Sequence, residues 1–193
     1  MSDLFVSKAQ DGGVWSYALP TWFGLFLSDA EALYGPRDKA WTPLGIELWD
    51  NHNQTCPLEG NTVCIRLNIK TLTHHDFNLF NLAHETIHVL GPSKGVDITF
   101  LEEGVAVAFS LQLKHYNDKS FPGMQRRNHL CDPADKYVRA LIDVELLTQH
   151  DREAVLKLRK IEPYLSRITP DQIVQVVPAC PSNLARRLCA SFR

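Results

Sequence analysis

The chain lacks an excess of charge of either sign and lacks a long apolar run. Its 193 residues carry 20 lysines and arginines against 22 aspartates and glutamates, which gives a net charge of −2. This balance gives no excess of positive charge that would attract nucleic acid or an anionic membrane surface. No stretch approaches the roughly 20 apolar residues that a membrane span requires. We therefore expect neither nucleic acid nor a membrane among its partners.

Signals for export and for a serine nucleophile are missing as well. The first residues, MSDLFVSKAQDGG, have no basic start, apolar middle or small-residue cleavage site of a signal peptide. A cytoplasmic location is the default expectation, and a secreted or exported effector is also compatible with the residues. The GxSxG turn that presents a nucleophilic serine does not occur. A covalent serine mechanism is therefore not expected.

None of the five cysteines belongs to a CxxC pair, which argues against a cysteine-based zinc site. Cys56 and Cys64 lie symmetrically about Gly60 in CPLEGNTVC, as two cross-strand residues of a hairpin would. A disulfide between them and two buried free thiols both fit this spacing, because sequence alone does not fix cysteine connectivity. Both possibilities stay open.

The order of hydrophobic patterns predicts an α+β protein, with a small N-terminal sheet packed on a mostly helical body. WTPLGIELWD and NTVCIRLNI are typical of two strands, and the segment between them has the composition of a turn. With no repeat or long linker in the pattern, we predict a single domain over residues 1–193. The natural place for a site is then a cleft between the sheet and the helices.

Helix signals surround these strands. A short helix before them is predicted to start at a capping box formed by Ser28 and Glu31 and to stop at Gly35. A long helix is predicted from a cap at Thr73 to about Leu90, with Gly91 as its stop. Further helices are predicted over about 100–116, 134–149, 151–165, 170–177 and within 180–193.

The stretch NLAHETIHVLGP, residues 81–92, carries two histidines four residues apart. On a helix, residues at this spacing lie on one face about 5–6 Å apart at Cβ. His84 and His88 can therefore offer one imidazole nitrogen each to a single zinc ion, at roughly 2.0–2.1 Å. Glu85 is rotated by about 100° around the helix axis, which leaves it within reach of a water molecule at that ion. The pattern predicts two metal ligands and one general base.

A catalytic zinc site needs a third protein ligand. One extension of the motif continues to a glycine and then a histidine, but here Gly91 is followed three residues later by Lys94, which cannot serve as that ligand. The stretch TFLEEGVAVAFS instead offers two carboxylates, Glu102 and Glu103, at the start of the next predicted helix. Gly104 and the small residues after it would let this helix approach the preceding one closely.

HETIH followed by FLEEGVAVAF resembles the gluzincin-type metallopeptidases, the clan of thermolysin-like and aminopeptidase-like enzymes. In that clan the HExxH helix is followed by a helix that begins Glu-Gly-x-Ala, whose glutamate completes the zinc site. The resemblance implies His84, His88 and Glu103 as zinc ligands and Glu85 as the general base. It also implies a zincin-like fold of minimal size, since the chain is short.

The same resemblance extends to the cleft. It implies that VCIRLNI is the strand that holds an extended substrate, and that Tyr137, in DKYVRALIDVELL, stabilises the oxyanion. His115 and His129 are the rivals for that role. The clan's aspartate one turn after the third ligand is replaced here by Val107, so the residues that support the ligands must differ.

These residues together predict a zinc-dependent hydrolase that cleaves peptide bonds in a protein or peptide substrate, with Glu85 as the general base. Two alternatives stay open. The same site could hydrolyse a non-peptide amide, such as a cell-wall cross-link, or the domain could be a non-catalytic metal-binding or interaction module on a zincin scaffold. An intact Glu85 favours the enzyme, because a structural zinc site needs no base. Cleavage preference and oligomeric state are not determined by the sequence.

Overall fold

The structure, a computed structural model, describes residues 19–71, 75–112 and 135–193. These residues form seven α-helices and one three-stranded mixed sheet. The predicted α+β class with a mostly helical body is confirmed. Within the described residues, no helix has the length and apolar character that crossing a membrane would take.

The elements follow one another along the chain in an order close to the predicted one. The strands are β1 (Thr42–Trp49), β2 (Gln54–Pro57) and β3 (Thr62–Asn68). The helices are α1 (Leu19–Tyr34), α2 (His75–Val89), α3 (Phe100–Gln112), α4 (Lys136–His150), α5 (Ala154–Ile161), α6 (Pro170–Val176) and α7 (Ser182–Leu188). The predicted cap at Thr73 and the predicted end of α3 beyond Gln112 lie outside the described residues.

The sheet has the order β1-β3-β2, with β1 parallel and β2 antiparallel to β3. Both predicted strands are present, but β2 was expected to be a turn because prolines and asparagines surround it. β3 is therefore the central strand, and β2 lies at an edge. Val63, Ile65 and Leu67 are fully buried in the core and alternate along β3, so one face of the sheet packs against α2.

Cys56 and Cys64 are direct partners in the antiparallel register of β2 and β3. The cross-strand arrangement expected from their spacing is therefore confirmed. Both are free thiols in this structure, with Cys64 buried and Cys56 half-buried. Because Ile65 faces the core, its neighbour Cys64 and the partner Cys56 lie on the opposite face of the sheet.

Helix α1 begins nine residues earlier than the predicted capping box, at Leu19 rather than Ser28. The reason is its apolar face: Phe23, Phe26 and Ala30 recur at helical spacing and are buried in the core, which extends the helix through Ser28. The capping-box interpretation is therefore wrong. The stop at Gly35 is confirmed, because this residue has a φ of 88° and its N–H donates to the carbonyl of Glu31.

The structure changes the roles predicted for Gly91, as a helix stop, and for Gly104, as a point of close approach to the preceding helix. Gly91 follows the end of α2 without a positive φ, and a Cβ there would lie 2.9 Å from the carbonyl oxygen of Pro163. Gly104 does allow a close helix approach, but to α4 rather than to α2: a Cβ there would lie 2.6 Å from Val144 Cγ2. The first turn of α3 is consequently held between α2 and α4.

The end of α2 is fixed by a buried arginine on α5. The guanidinium of Arg159 donates hydrogen bonds to five backbone carbonyl oxygens, and it lies where the ends of α1 and α2 meet α5. The acceptors are Tyr34, Gly35, Pro36, Leu90 and Pro163. This contact fixes the carbonyl of Leu90, the residue that follows the last residue of α2.

The C-terminal helices match their sequence signals in part. α6 begins at the predicted capping box, in which Thr169 and Gln172 exchange hydrogen bonds, and the predicted terminal helix is α7. α5 is shorter than expected, since it covers only Ala154–Ile161, and a separate turn of 3₁₀-helix follows at Leu165–Arg167. That turn carries Ser166 towards the start of α3.

Candidate metal centre

Helices α2 and α3 bring His84, His88 and Glu103 together. The two histidines lie one turn apart on α2, and their Nε2 atoms are separated by 3.4 Å. Glu103, in the first turn of α3, places Oε2 at 3.1 Å from Nε2 of His84 and Oε1 at 3.8 Å from Nε2 of His88. One ligand atom from each residue lies within 4.8 Å of the others.

These separations fit a four-coordinate metal ion. Ligands bound at about 2.0–2.2 Å in a tetrahedral arrangement lie roughly 3.3–3.6 Å from one another, close to the spacing of the three side chains here. The Oε2 atom of Glu103 is buried and accepts no hydrogen bond from the described residues, although Nε2 of His84 is near it. Since a buried carboxylate oxygen without a partner is costly, a cation between the three side chains would satisfy it. Two imidazole nitrogens and one carboxylate suit zinc.

The electrostatics of the cluster also favour a positive charge. Burial lowers the pKa of His88, but its hydrogen bond to Glu102 and the charges of Glu103, Glu102 and Glu85 outweigh burial and raise that pKa to about 10. Burial raises the pKa of Glu103, and the neighbouring His84 and His88 reverse this and lower it below its usual value. Three carboxylates close to two imidazoles thus attract a proton or a metal ion.

Thr99 positions both glutamates at the start of α3. Its hydroxyl accepts a hydrogen bond from the N–H of Glu102 at 3.4 Å, and its carbonyl accepts from the N–H of Glu103 at 3.1 Å. A threonine before a first turn that contains two carboxylates is a favourable helix start. This cap was not recognised in the sequence, although Thr99 stands three residues before Glu102 in the pattern of a capping box.

Glu102 is the residue of the cluster for which no role was predicted from the sequence. Its side chain is only 2% exposed, and its Oε1 lies 2.7 Å from Nδ1 of His88. Its Oε2 accepts hydrogen bonds from Ser166 and, at 3.3 Å, from Ser93. Since a carboxylate can only accept, Nδ1 of His88 carries the proton and Nε2 is left free for a metal. Glu102 thus supports His88 with a carboxylate, a contact that the apolar Val107 could not make.

Glu85 lies beside the cluster without joining it. Its side chain is largely buried and borders the cleft. The hydroxyl of Thr55, on β2, lies 2.7 Å from the backbone oxygen of Glu85 and 3.0 Å from its Oε2. The carboxylate is thus separate from the three clustered side chains and borders the same cleft. This is the arrangement that the helical rotation between His84 and Glu85 predicts.

Tyr137, in the first turn of α4, lines the same cleft as Glu85. The cap residue Asp135 accepts a hydrogen bond from the N–H of Tyr137 at 2.8 Å, and the ring centroid lies 6.1 Å from that of His84. Burial, followed by the charges of Glu103 and Glu85, raises the pKa of Tyr137 to about 12, so the phenol keeps its proton at neutral pH. The rival residues His115 and His129 lie outside the described residues.

The cleft in front of these side chains has a volume of about 260 Å³ and separates the sheet from the helical body. Its sheet side is formed by β2, through residues that include Gln54, Thr55 and Pro57. The expectation that β3 lines the cleft is therefore wrong, because β2 is the edge strand on that side and its residues line the cleft in place of β3. The other walls come from α2, the turn after it, and the first turns of α3 and α4.

Compared with protein-family models, with curated protein sequences and with solved structures, the chain finds no match.

Proposed function

We propose that the protein is a zinc-dependent hydrolase that cleaves peptide bonds and that belongs with the gluzincin-type metallopeptidases, on a minimal zincin-like fold. The observation that carries the proposal is the convergence of His84, His88 and Glu103, with a buried Oε2 of Glu103 that accepts no hydrogen bond from the described residues and lies 3.1 Å from Nε2 of His84. A buried acidic side chain, Glu85, lies next to that cluster at the wall of the cleft. A metal site with a purely structural role needs no such carboxylate beside it.

Four residues would bind the metal ion or orient its ligands. His84 and His88 would each bind zinc through Nε2, and Glu103 would bind it through a carboxylate oxygen. Glu102 orients His88 through Nδ1 and so leaves Nε2 free for the metal. When bound, zinc supplies Lewis acidity, which polarises a carbonyl group and lowers the pKa of water towards about 7.

Glu85 is the general base of the proposed reaction. Its carboxylate takes a proton from the attacking water molecule, whose oxygen forms the new bond to the peptide carbonyl carbon. The same carboxyl group then gives this proton to the leaving amine nitrogen as the carbon–nitrogen bond breaks. The products are a carboxylic acid and an amine, and Glu85 returns to its starting protonation state.

Tyr137 is proposed to stabilise the negative charge that develops on the carbonyl oxygen. Its phenol is protonated at neutral pH, so it can donate a hydrogen bond at the moment when that charge forms. The ring lies near His84 and against Phe192, at a centroid distance of 4.8 Å, which restricts its position. Because Tyr137 remains 39% exposed, a substrate can reach it from the cleft.

The proposal is tested by comparing wild type with Glu85→Gln on a peptide library, beside a cell-wall digest. Loss of the base is expected to lower the rate by at least ~10²-fold, while the isosteric amide leaves the fold and the zinc ligands in place. Glu145→Gln, an exposed glutamate on α4, is the matched control and keeps full activity. Peptide cleavage that Glu85→Gln does not slow would refute the mechanism. Hydrolysis of the cell-wall substrate alone would refute the peptide assignment, and zinc binding without any hydrolysis would refute the enzyme.

A further inference from the structure

The structure assigns a positioning role to Thr55: its hydroxyl holds the carboxylate of Glu85 in front of the proposed metal group. This inference rests on the proposed function of Glu85. It is carried by two contacts of a single oxygen, Oγ1 of Thr55, which lies 2.7 Å from the backbone oxygen of Glu85 and 3.0 Å from its Oε2. Among the described residues, no other side chain is hydrogen-bonded to that carboxylate.

The two contacts fix the carboxylate relative to its own backbone. A glutamate side chain has three rotatable bonds, and ordering it costs entropy that its contacts must offset. Threonine is branched at Cβ and has few χ1 choices, so its hydroxyl is a stiff point of attachment. Because Oγ1 lies within hydrogen-bond distance of both the backbone oxygen and Oε2 of Glu85, one stiff side chain sets the position of Oε2 relative to that backbone oxygen.

Strand β2 supplies the other half of the attachment. Thr55 is paired with Ile65 in the antiparallel register, and Ile65 is fully buried in the core. The hydroxyl is therefore anchored to the sheet on one side of the cleft while Glu85 belongs to α2 on the other. The contact spans 30 residues of sequence and joins the two walls at the point where the base must be held.

The hydroxyl can serve both states of Glu85 in the proposed reaction. It has one proton and two lone pairs, so it can donate to a carboxylate or accept from a carboxylic acid. While Glu85 is a carboxylate, the hydroxyl proton points to Oε2. Once Glu85 has taken the proton of water, the hydroxyl proton turns to the backbone oxygen, and a lone pair of Oγ1 accepts from the protonated Oε2. Only the hydroxyl hydrogen has to rotate between the two states.

The test compares Thr55→Val, which keeps the shape and removes the hydroxyl, with Thr55→Ser, which keeps the hydroxyl. We expect kcat to fall about tenfold in the valine variant with KM unchanged, because a hydrogen bond to a charged group is lost, and to be largely restored in the serine variant. Thr62→Val is the matched control: the Thr62 hydroxyl also donates to a backbone carbonyl, that of Glu59, at 2.7 Å, but away from the cleft. Zinc affinity and melting temperature are measured on every variant, and the zinc affinity of Thr55→Val stays at the wild-type value.

The double variant Thr55→Val/Glu85→Gln separates positioning from a general structural effect. If Thr55 acts through Glu85, adding the valine substitution to Glu85→Gln lowers the residual rate no further. An equal loss in both backgrounds, loss of zinc in Thr55→Val, or wild-type kcat in that variant would overturn the inference. Failure of the proposed function is distinguishable, since it shows as full activity of Glu85→Gln by itself.

Discussion

The Oε1 atom of Glu102 lies 2.7 Å from Nδ1 of His88, and its other oxygen accepts a hydrogen bond from Ser166. Two successive glutamates at the start of α3 therefore have different tasks. The carboxylate of Glu103 lies near the Nε2 atoms of His84 and His88. The carboxylate of Glu102 contacts Nδ1 of His88. Because Ser166 follows α5 in the chain, this hydrogen bond also connects the candidate metal centre to the C-terminal part of the protein.

Removing the Glu102 carboxylate is expected to weaken zinc binding. An outer partner of a ligand histidine is worth about 10- to 100-fold in metal affinity, so we expect about tenfold loss in Glu102→Gln, which keeps one acceptor oxygen, and a larger loss in Glu102→Ala. Competition with a chromogenic chelator measures the affinity. Glu162→Gln, away from the cleft, serves as the control. Equal zinc affinities in wild type and Glu102→Ala would contradict the role given to this residue.

Tyr137→Phe is expected to lower kcat by about 10²-fold, because it removes the hydrogen-bond donor proposed for the oxyanion. KM and zinc content stay near the wild-type values, since the ring and its contact with Phe192 are kept. Steady-state kinetics on a cleaved peptide measure the change. Tyr164→Phe, which removes a hydroxyl bonded to Asp38 at a pair that does not line the cleft, leaves kcat unchanged. An unimpaired kcat in Tyr137→Phe would shift the role to His115 or His129.

Contacts within one helix could be predicted from the sequence more fully than contacts between elements far apart in the chain. The spacing of His84 and His88 follows from helix geometry alone, so their approach was predictable from the HETIH pattern. Glu103 meets them across two helices, and only the resemblance of the next helix to a known pattern indicated it. Thr55 reaches Glu85 over 30 residues, and nothing in the local sequence of either signals the contact.

There is also a physical reason why the sequence did not predict strand β2. β2 has only four residues, ends in Pro57 and follows the turn-forming Asn51 and Asn53, so local propensity favours a turn. Its pairing with β3 overrides that preference, because three of the four residues stand opposite the buried stretch Val63, Cys64 and Ile65. The assignment of β3 as the wall of the cleft, which the resemblance implied, is wrong because β2 occupies that side of the cleft.

The stability of the fold is expected to depend on pH through the carboxyl group of Asp38. Hydrogen bonds from the Tyr164 hydroxyl and then from the backbone N–H of Ala40 lower the pKa of this carboxyl below its ordinary 3.8. A group whose pKa is lower in the folded state stabilises above its unfolded pKa, and that contribution disappears as pH falls through the folded pKa. Wild type should therefore unfold at a higher temperature than Asp38→Asn at pH 6, with the difference shrinking below about pH 4. A difference that is constant between pH 6 and pH 2.5 would contradict this.

The opposed cysteines of β2 and β3 are expected to form a disulfide when an oxidant is supplied. Directly paired antiparallel residues have Cα atoms about 4.5–5.5 Å apart, which lies in the range that disulfides bridge. Oxidised glutathione would convert the thiols of Cys56 and Cys64 to a disulfide and release two molecules of reduced glutathione. Peptide mapping without reduction detects the linked peptides.

The order of the steps is testable with single variants. Burial, then the nearby Cys56, raises the pKa of Cys64, so the half-exposed Cys56 should react with glutathione first. Cys64→Ser should then accumulate glutathione on Cys56, while Cys56→Ser keeps Cys64 reduced. Pairing of Cys64 with a different cysteine in the wild-type chain would disprove this arrangement.

The central claim is that His84, His88 and Glu103 hold one zinc ion. The most direct measurement is the zinc content of folded protein by elemental mass spectrometry, together with X-ray absorption at the zinc edge. We predict about one zinc per chain in wild type and in Glu85→Gln, with two imidazole nitrogens and a carboxylate oxygen at roughly 2.0–2.2 Å. Zinc is lost in His88→Ala and in Glu103→Ala. A folded wild-type protein that takes up no zinc, or a folded His84→Ala/His88→Ala variant that keeps a full equivalent, would contradict the claim.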